Sequence, residues 1–187
     1  LTHAVLGDWR AMAQQRLPEL RALVDERRTR VGELAQVLEP DLKESYGGLR
    51  DATVLRGIAA TWVTDIPHTG WEESVMVLLD VRDALHRVTG RPGDRLLMQE
   101  QEAVAQDLGY SDSDALLRAV YDAARDVAYA SDVAWHRVDR ATRREPRLSF
   151  RPLRRGTGPT RRPLADGVVV QDGEAVLHHD TVGERAT

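Results

Sequence analysis

Lys43 is the single lysine among 26 basic side chains; every other one is arginine. It stands in Leu38-Glu39-Pro40-Asp41-Leu42-Lys43-Glu44-Ser45-Tyr46-Gly47-Gly48-Leu49-Arg50-Asp51. Lysine is a compact point charge that suits phosphate, whereas arginine presents a wide planar fork. Glycines directly ahead of a helix let backbone N–H groups approach an anion, and the first helical turn adds partial positive charge. Lys43, Gly47, Gly48 and Arg50 are therefore candidates to converge on one phosphate. Asp51 would complement the helix start or hold Arg50 in place. Glu39 and Asp41 alternate along an extended stretch, share a face, and are candidate ligands for a hard cation such as Mg²⁺. Each part also has a plain structural reading: a turn, a capping acid, two solvated loop charges.

A second group follows. Arg82 and His86 lie four apart, with Arg91, Asp94 and Arg95 just beyond. A histidine there can orient a phosphate or bind a carboxylate, although such a residue is more often a satisfied flank histidine. His178-His179 has no spaced third ligand and reads as a terminal polar pair. Arg143 to Arg162 holds eight arginines with Phe150 as its one aromatic, so it reads as a solvated linker before it reads as a nucleic-acid site.

The elements that must position these groups are helical. Apolar residues recur at helical spacing through most of the first 140 positions. Residues 1–16 form a short helix, with Pro18 in the first turn of the next, which runs to a loop at Gly32. Leu38 to Tyr46 is extended or irregular. Gly47-Gly48 opens a helix with Leu55, Ile58, Ala59 and Trp62 on its apolar face. Trp71 to Leu85 is apolar round much of its circumference and is expected to be the central helix. Gly90 closes it; another helix ends at Gly109. The longest helix covers roughly 113–140. Its seam of Leu116, Val120, Ala123, Val127, Ala130 and Ala134 suits near-parallel bundle packing. The fold class is all-α, a bundle of five to six helices over 1–140. Residues 141–187 form an Arg-rich linker and a small hairpin, 168–177, about an Asp-Gly turn.

Composition bounds the rest. Hydrophobic residues make up 42% and charged residues 30%, the balance of an ordinary globular domain. Net charge is −4, so no global field draws the chain to nucleic acid or anionic lipid. There is no cysteine, which excludes disulfides, thiolate zinc and a cysteine nucleophile and fits a cytoplasmic setting. No apolar run approaches the ~20 residues of a membrane span, so no membrane partner is expected. The chain opens Leu1-Thr2-His3 and reads as a segment of something longer.

Taken together, several stretches carry a resemblance. Leu38-Glu39-Pro40-Asp41-Leu42-Lys43, Gly47-Gly48-Leu49-Arg50-Asp51, Leu85-His86, Gly90-Arg91, Asp94-Arg95-Leu96, Gln101, Val104-Ala105 and Leu108-Gly109-Tyr110 stand in one order. Over about residues 1–140 the chain resembles the helical domain of bacterial PII uridylyltransferases, the bifunctional uridylyl-transferring and uridylyl-removing enzymes of nitrogen signalling. The resemblance implies a parent enzyme that transfers a nucleotidyl group from UTP or ATP, with Mg²⁺, to a tyrosine of PII. The implied partners are PII, an upstream nucleotidyltransferase domain, and downstream His-Asp hydrolase and ACT domains. The family's Gly-Ser motif and paired catalytic aspartates do not occur here, so the piece alone is expected to be catalytically silent. In this frame Lys43, Gly47, Gly48 and Arg50 close the nucleotide cleft, and His86, Arg91, Asp94 and Arg95 brace the loop. Thr64–Gly70 is shorter than the family pattern, as if a connecting helix were deleted. A pure docking platform for PII or neighbouring domains is the alternative.

Overall fold

A computed structural model of the chain describes residues 2–66 and 70–142, together with strand backbone at 162–165, 168–171 and 174–177. The chain divides into two compact units, Leu1–Arg144 and Glu145–Thr187. Among its described residues the first contains six α-helices: α1 (Thr2–Ala11), α2 (Ala13–Val31), α3 (Leu49–Thr61), α4 (Trp71–Thr89), α5 (Met98–Leu108) and α6 (Ser113–Thr142). A 3-10 turn, Leu34–Gln36, lies between α2 and α3. Among the described residues no helix is long and apolar enough to cross a membrane. In the second unit β1 (Arg162–Ala165), β2 (Val168–Gln171) and β3 (Glu174–Leu177) form one antiparallel sheet in the order β1-β2-β3. Most of Arg143–Arg162, the Asp172-Gly173 turn and His178-His179 lie outside the described residues.

Helix α6 is the spine of the first unit, packing on α2, α3, α4, α5 and the 3-10 turn. The central role expected of α4 falls to α6 because its seam is rich in alanine, which lets neighbouring backbones come close. Leu116, Val120, Ala123, Val127, Ala130 and Ala134 are all buried, with Ala124, Trp135 and Val138 beside them. Each buried leucine or valine contributes about 1.5–3 kcal/mol of apolar burial. The start of α6 is set by Asp112, whose Oδ1 accepts the Ala115 N–H at 2.7 Å. Gly90 and Gly109 end α4 and α5 in left-handed conformations, as their spacing suggests.

Two local expectations are corrected. The first helix stops at Ala11, and α2 starts at Ala13, so Pro18 lies inside α2 rather than in its first turn. Ala13 and Leu17 are buried on the same side as Val24, and burying that continuous face outweighs the hydrogen bond that proline cannot donate. Trp62, expected on the apolar face of α3, instead sits past its C-terminus at φ 60° and is 76% exposed. The Arg10 guanidinium stacks 3.5 Å from its ring centroid while Arg10 Nε donates to the Ala60 carbonyl at 2.9 Å.

The irregular stretch 38–48 is stitched on both sides. Leu42 N–H donates to Asp94 O (2.7 Å) and Leu96 N–H to Pro40 O (2.9 Å), an antiparallel bridge to the α4–α5 connector. Tyr46 N–H donates to Gly32 O and Leu34 N–H to Tyr46 O, each at 2.9 Å. The Tyr46 hydroxyl donates to Asp132 Oδ1 on α6 at 2.6 Å, and Arg28 covers its ring at 4.1 Å. Gly47 then turns the chain into α3 at φ 86°, pressed against the Ala124 carbonyl so closely that any Cβ would collide with it. Gly57, in the middle of α3, has open space within 4 Å of the place a methyl group would take. Gly47→Ala should therefore lower unfolding free energy by about 2–4 kcal/mol. Gly57→Ala should raise it by about 0.5–1 kcal/mol. Urea unfolding of the two variants checks the opposite signs.

Candidate functional site

Lys43, Arg50 and Arg82 line one small open cavity of about 200 Å³, together with Leu49, Thr53 and Leu79. The loop supplies Lys43, the first turn of α3 supplies Arg50, and α4 supplies Arg82 across the cavity. Ligand pockets for whole small molecules run to roughly 300–1,000 Å³. This cavity is of a size for phosphoryl groups, not for a complete nucleotide.

Each cation has a carboxylate beside it. Asp94 lies between Arg82 Nε (2.5 Å to Oδ1) and Lys43 Nζ (3.5 Å to Oδ2). Arg50 Nη2 donates to Glu44 Oε1 at 2.5 Å. Lys43 and Arg50 are thus both gathered at one concave site and both tied into ion pairs. Burial works against ionisation of Asp94, but the Arg82 bond and charge and the Lys43 charge outweigh it and hold the carboxyl below its ordinary value. The Arg50 hydrogen bond does the same for Glu44.

The glycines act through shape. Gly47 N–H donates to Asp51 Oδ2 at 2.8 Å, and Gly48 N–H to Ser45 O at 2.9 Å. Leu49 and Arg50 N–H groups donate back to Leu42 and Lys43 carbonyls, at 2.9 and 3.0 Å. The amides that open α3 are therefore engaged inside the loop, and contact with an anion falls to side chains. A Cβ on Gly48 would meet the Leu42 carbonyl oxygen at 2.7 Å, so this residue too is required by close packing.

Asp51 holds Arg27 rather than Arg50. It is fully buried, pairs with the Arg27 guanidinium and accepts the Gly47 N–H. Burial pushes its carboxyl above the ordinary value, with Arg27 and the Gly47 N–H pulling the other way. Sequence reasoning missed Arg27, though its position offered a signal: it falls at helical spacing with Val24 and Val31 on the inward side of α2.

The expected braces are arranged around the connector. His86 Nε2 donates to Gly93 O at 2.8 Å. Arg95 Nη2 donates to Glu39 Oε2 at 3.2 Å, and Arg91 Nη2 to Glu100 Oε1 at 2.7 Å. Asp94 and Arg95 thus reach the loop, His86 holds the connector that pairs with it, and Arg91 reaches α5 instead. The Mg²⁺ expectation for Glu39 and Asp41 does not fit this geometry. Glu39 accepts from Arg95 and from Met98 N–H, and Asp41 Oδ1 accepts from Lys43 and Glu44 N–H groups at 3.0 and 2.7 Å. Among the described residues no group of three or more His, Cys, Asp or Glu side chains is placed to hold a metal. Both carboxylates face a wider depression of about 610 Å³ that Arg30, Arg95, Leu38 and Met98 also line.

The family model described as GlnD PII-uridylyltransferase matches residues 11–66 and 58–135, two segments that overlap over 58–66. The chain belongs to this family. A bifunctional uridylyltransferase/uridylyl-removing enzyme of Streptomyces coelicolor is 56% identical over 191 residues, covering 99% of this chain and 23% of the relative. The enzyme of the same description from Mycobacterium tuberculosis strain H37Rv is 36% identical over 192 residues, 98% of this chain and 23% of its own length. That of Azospirillum brasilense is 29% identical over 170 residues, covering 80% and 18%. The chain thus spans about a quarter of the curated relatives it matches most fully. No solved structure matches it. The PII-uridylyltransferase match takes in the Lys43 loop, Arg82, His86 and the Asp94 connector together.

Both buried and half-buried carboxylates can be tested by substitution. Asp51→Ala leaves Arg27 charged and buried and should cost about 3–5 kcal/mol in chemical unfolding. Asp94 has a depressed folded pKa, so its stabilisation is complete above the ordinary carboxylate value and fades as pH falls through the depressed one. Asp94→Asn should accordingly lose about 0.5–1 kcal/mol at neutral pH, for a partly exposed pair, and nothing at acid pH. Melting curves across pH for wild type and variant test the convergence.

Proposed function

We propose that this chain is the helical part of a PII nucleotidyltransferase, with the Lys43–Asp51 loop forming one wall of the nucleotide cleft. The observation that carries the reading is the convergence of Lys43 and Arg50 on one cavity of phosphoryl size. Nucleotidyl transfer is governed by positioning and by stabilising charge on phosphate oxygens. Lys43 and Arg50 supply positive charge, Gly47 and Gly48 set the loop's path, and the buried Asp51–Arg27 pair fixes where α3 begins. His86, Asp94 and Arg95 hold the loop at the level of the α4–α5 connector. The metal-binding aspartates belong to the preceding nucleotidyltransferase domain, and the chain alone is catalytically silent. The substrate pair is UTP or ATP and a PII tyrosine.

The second reading, a docking platform for PII or a neighbouring domain, draws support from Leu38 and Met98. They stand 69% and 62% exposed at the wider depression, a pattern suited to covering by another surface. One experiment separates the two. In the full-length enzyme, Lys43→Ala and Arg50→Ala should each lower transfer about ten- to a hundredfold, the worth of one charge-assisted contact, with melting temperature held. Transfer kinetics unchanged in both, with loss instead on Leu38→Glu, would make the platform reading the correct one.

A further inference from the structure

Arg82 and His86 are one turn apart on α4 but serve different ends of the loop's support. His86 meets the Gly93 carbonyl, whereas Arg82 reaches the cavity of Lys43 and Arg50, and only its Nε is engaged, by Asp94. Its two terminal nitrogens bond to no described residue. Lys43 is held more loosely still, by one 3.5 Å ion pair to the same carboxylate. Three cations therefore line the cavity, and the two carboxylates paired with them leave one net positive charge.

The backbone of Asp94 is held by main-chain and His86 contacts, whereas its carboxylate is held only by the two cations, Arg82 and Lys43. Its carbonyl accepts the Leu42 N–H at 2.7 Å, and the adjoining Gly93 carbonyl accepts His86 at 2.8 Å. Rotation about the side-chain bonds of Asp94 would release Arg82 and Lys43 without disturbing the bridge that holds the loop. The ligand able to cause that rotation must outcompete a carboxylate already in place. A monoanion offers no more than Asp94 does. A polyphosphate carries several charges and many acceptor oxygens, and can bridge Lys43, Arg50 and Arg82 at once.

We propose that Arg82 is a third phosphate-binding side chain of this site, and that Asp94 is its resident counter-ion, which a polyphosphate displaces on binding. This rests on the reading of the Lys43 loop as facing a triphosphate. It adds a residue from α4 to the site and gives Asp94 a competing role in place of a purely bracing one. Selectivity follows: the site stays closed to carboxylates and chloride and opens to chains of phosphate.

The test is calorimetric titration of the 187-residue chain with inorganic tripolyphosphate at low salt, comparing wild type, Lys43→Ala, Arg82→Gln and Asp94→Asn. Arg82→Gln should weaken binding about tenfold, as loss of a charged hydrogen-bond donor does. Asp94→Asn should tighten it about three- to fivefold, the worth of one screened pair. Asp94→Ser, which also removes the charge, should tighten it in the same direction and replaces Asp94→Asn if that variant does not fold. Binding that Lys43→Ala abolishes but that Arg82→Gln leaves intact, or that Asp94→Asn weakens or leaves unchanged, overturns the proposal while the loop reading stands. Absence of binding in wild type, or binding indifferent to Lys43→Ala, overturns both.

Discussion

The buried pair of Arg27 and Asp51 joins three pieces of chain: the inward face of α2, the Gly47 turn and the first turn of α3. Asp51 is wholly out of water and Arg27 nearly so. A charge in that position is tolerated only with a partner and further hydrogen bonds, and Asp51 has both. The consequence is geometric. With one oxygen on Arg27 and the other on the Gly47 N–H, α3 can begin in only one place relative to α2. The direction in which Lys43 and Arg50 leave the loop is decided there.

From that constraint the division of labour within the loop follows. The N–H groups that a Gly-Gly turn would offer an anion are consumed in holding the turn itself. A turn pressed against the α6 backbone has no room for an anion at its amides. Its rigidity is what lets the neighbouring side chains be placed accurately, because Lys43 and Arg50 spring from backbone fixed on both sides. The bridge to Asp94 and Leu96 adds the third wall, bringing α4 and its Arg82 to the same cavity.

Much of this frame is readable along the chain because it depends on local chemistry. Helix ends at Gly32, Gly90 and Gly109 and the start at Asp112 are each decided by a residue and its immediate neighbours. So is the alanine seam of α6, whose spacing carries through to burial. What could not be read depends on partners far away in sequence. Pro18 sits inside α2 because Ala13 and Leu17 complete a face whose other half belongs to other helices. Trp62 leaves the core because α3 ends one residue earlier and Arg10, from α1, offers its ring a place outside. In the site, the loop and its lysine are evident from residue types. The commitment of Asp51 to Arg27 and of Glu39 to Arg95 is not, since a carboxylate in a sequence does not reveal which of many arginines it meets.

The near-exclusive use of arginine makes the one lysine consequential. Arginine binds carboxylates through a fixed fork and resists losing its proton, so a chain with so many of them forms ion pairs wherever acids are near. Arg50 with Glu44 and Arg82 with Asp94 are instances. A lysine at 43 breaks the pattern with a round, strongly hydrated charge that meets Asp94 only at 3.5 Å. Placing the weakest-held cation beside the more tightly held ones makes the cluster divisible. In the proposed binding mode a polyphosphate would meet Lys43 first, and its charge would then compete with Asp94 for Arg82 at close range, where Coulombic terms are strong. An arginine at 43, locked to Asp94 through a fork, would keep the same net charge but remove that loosely held foothold.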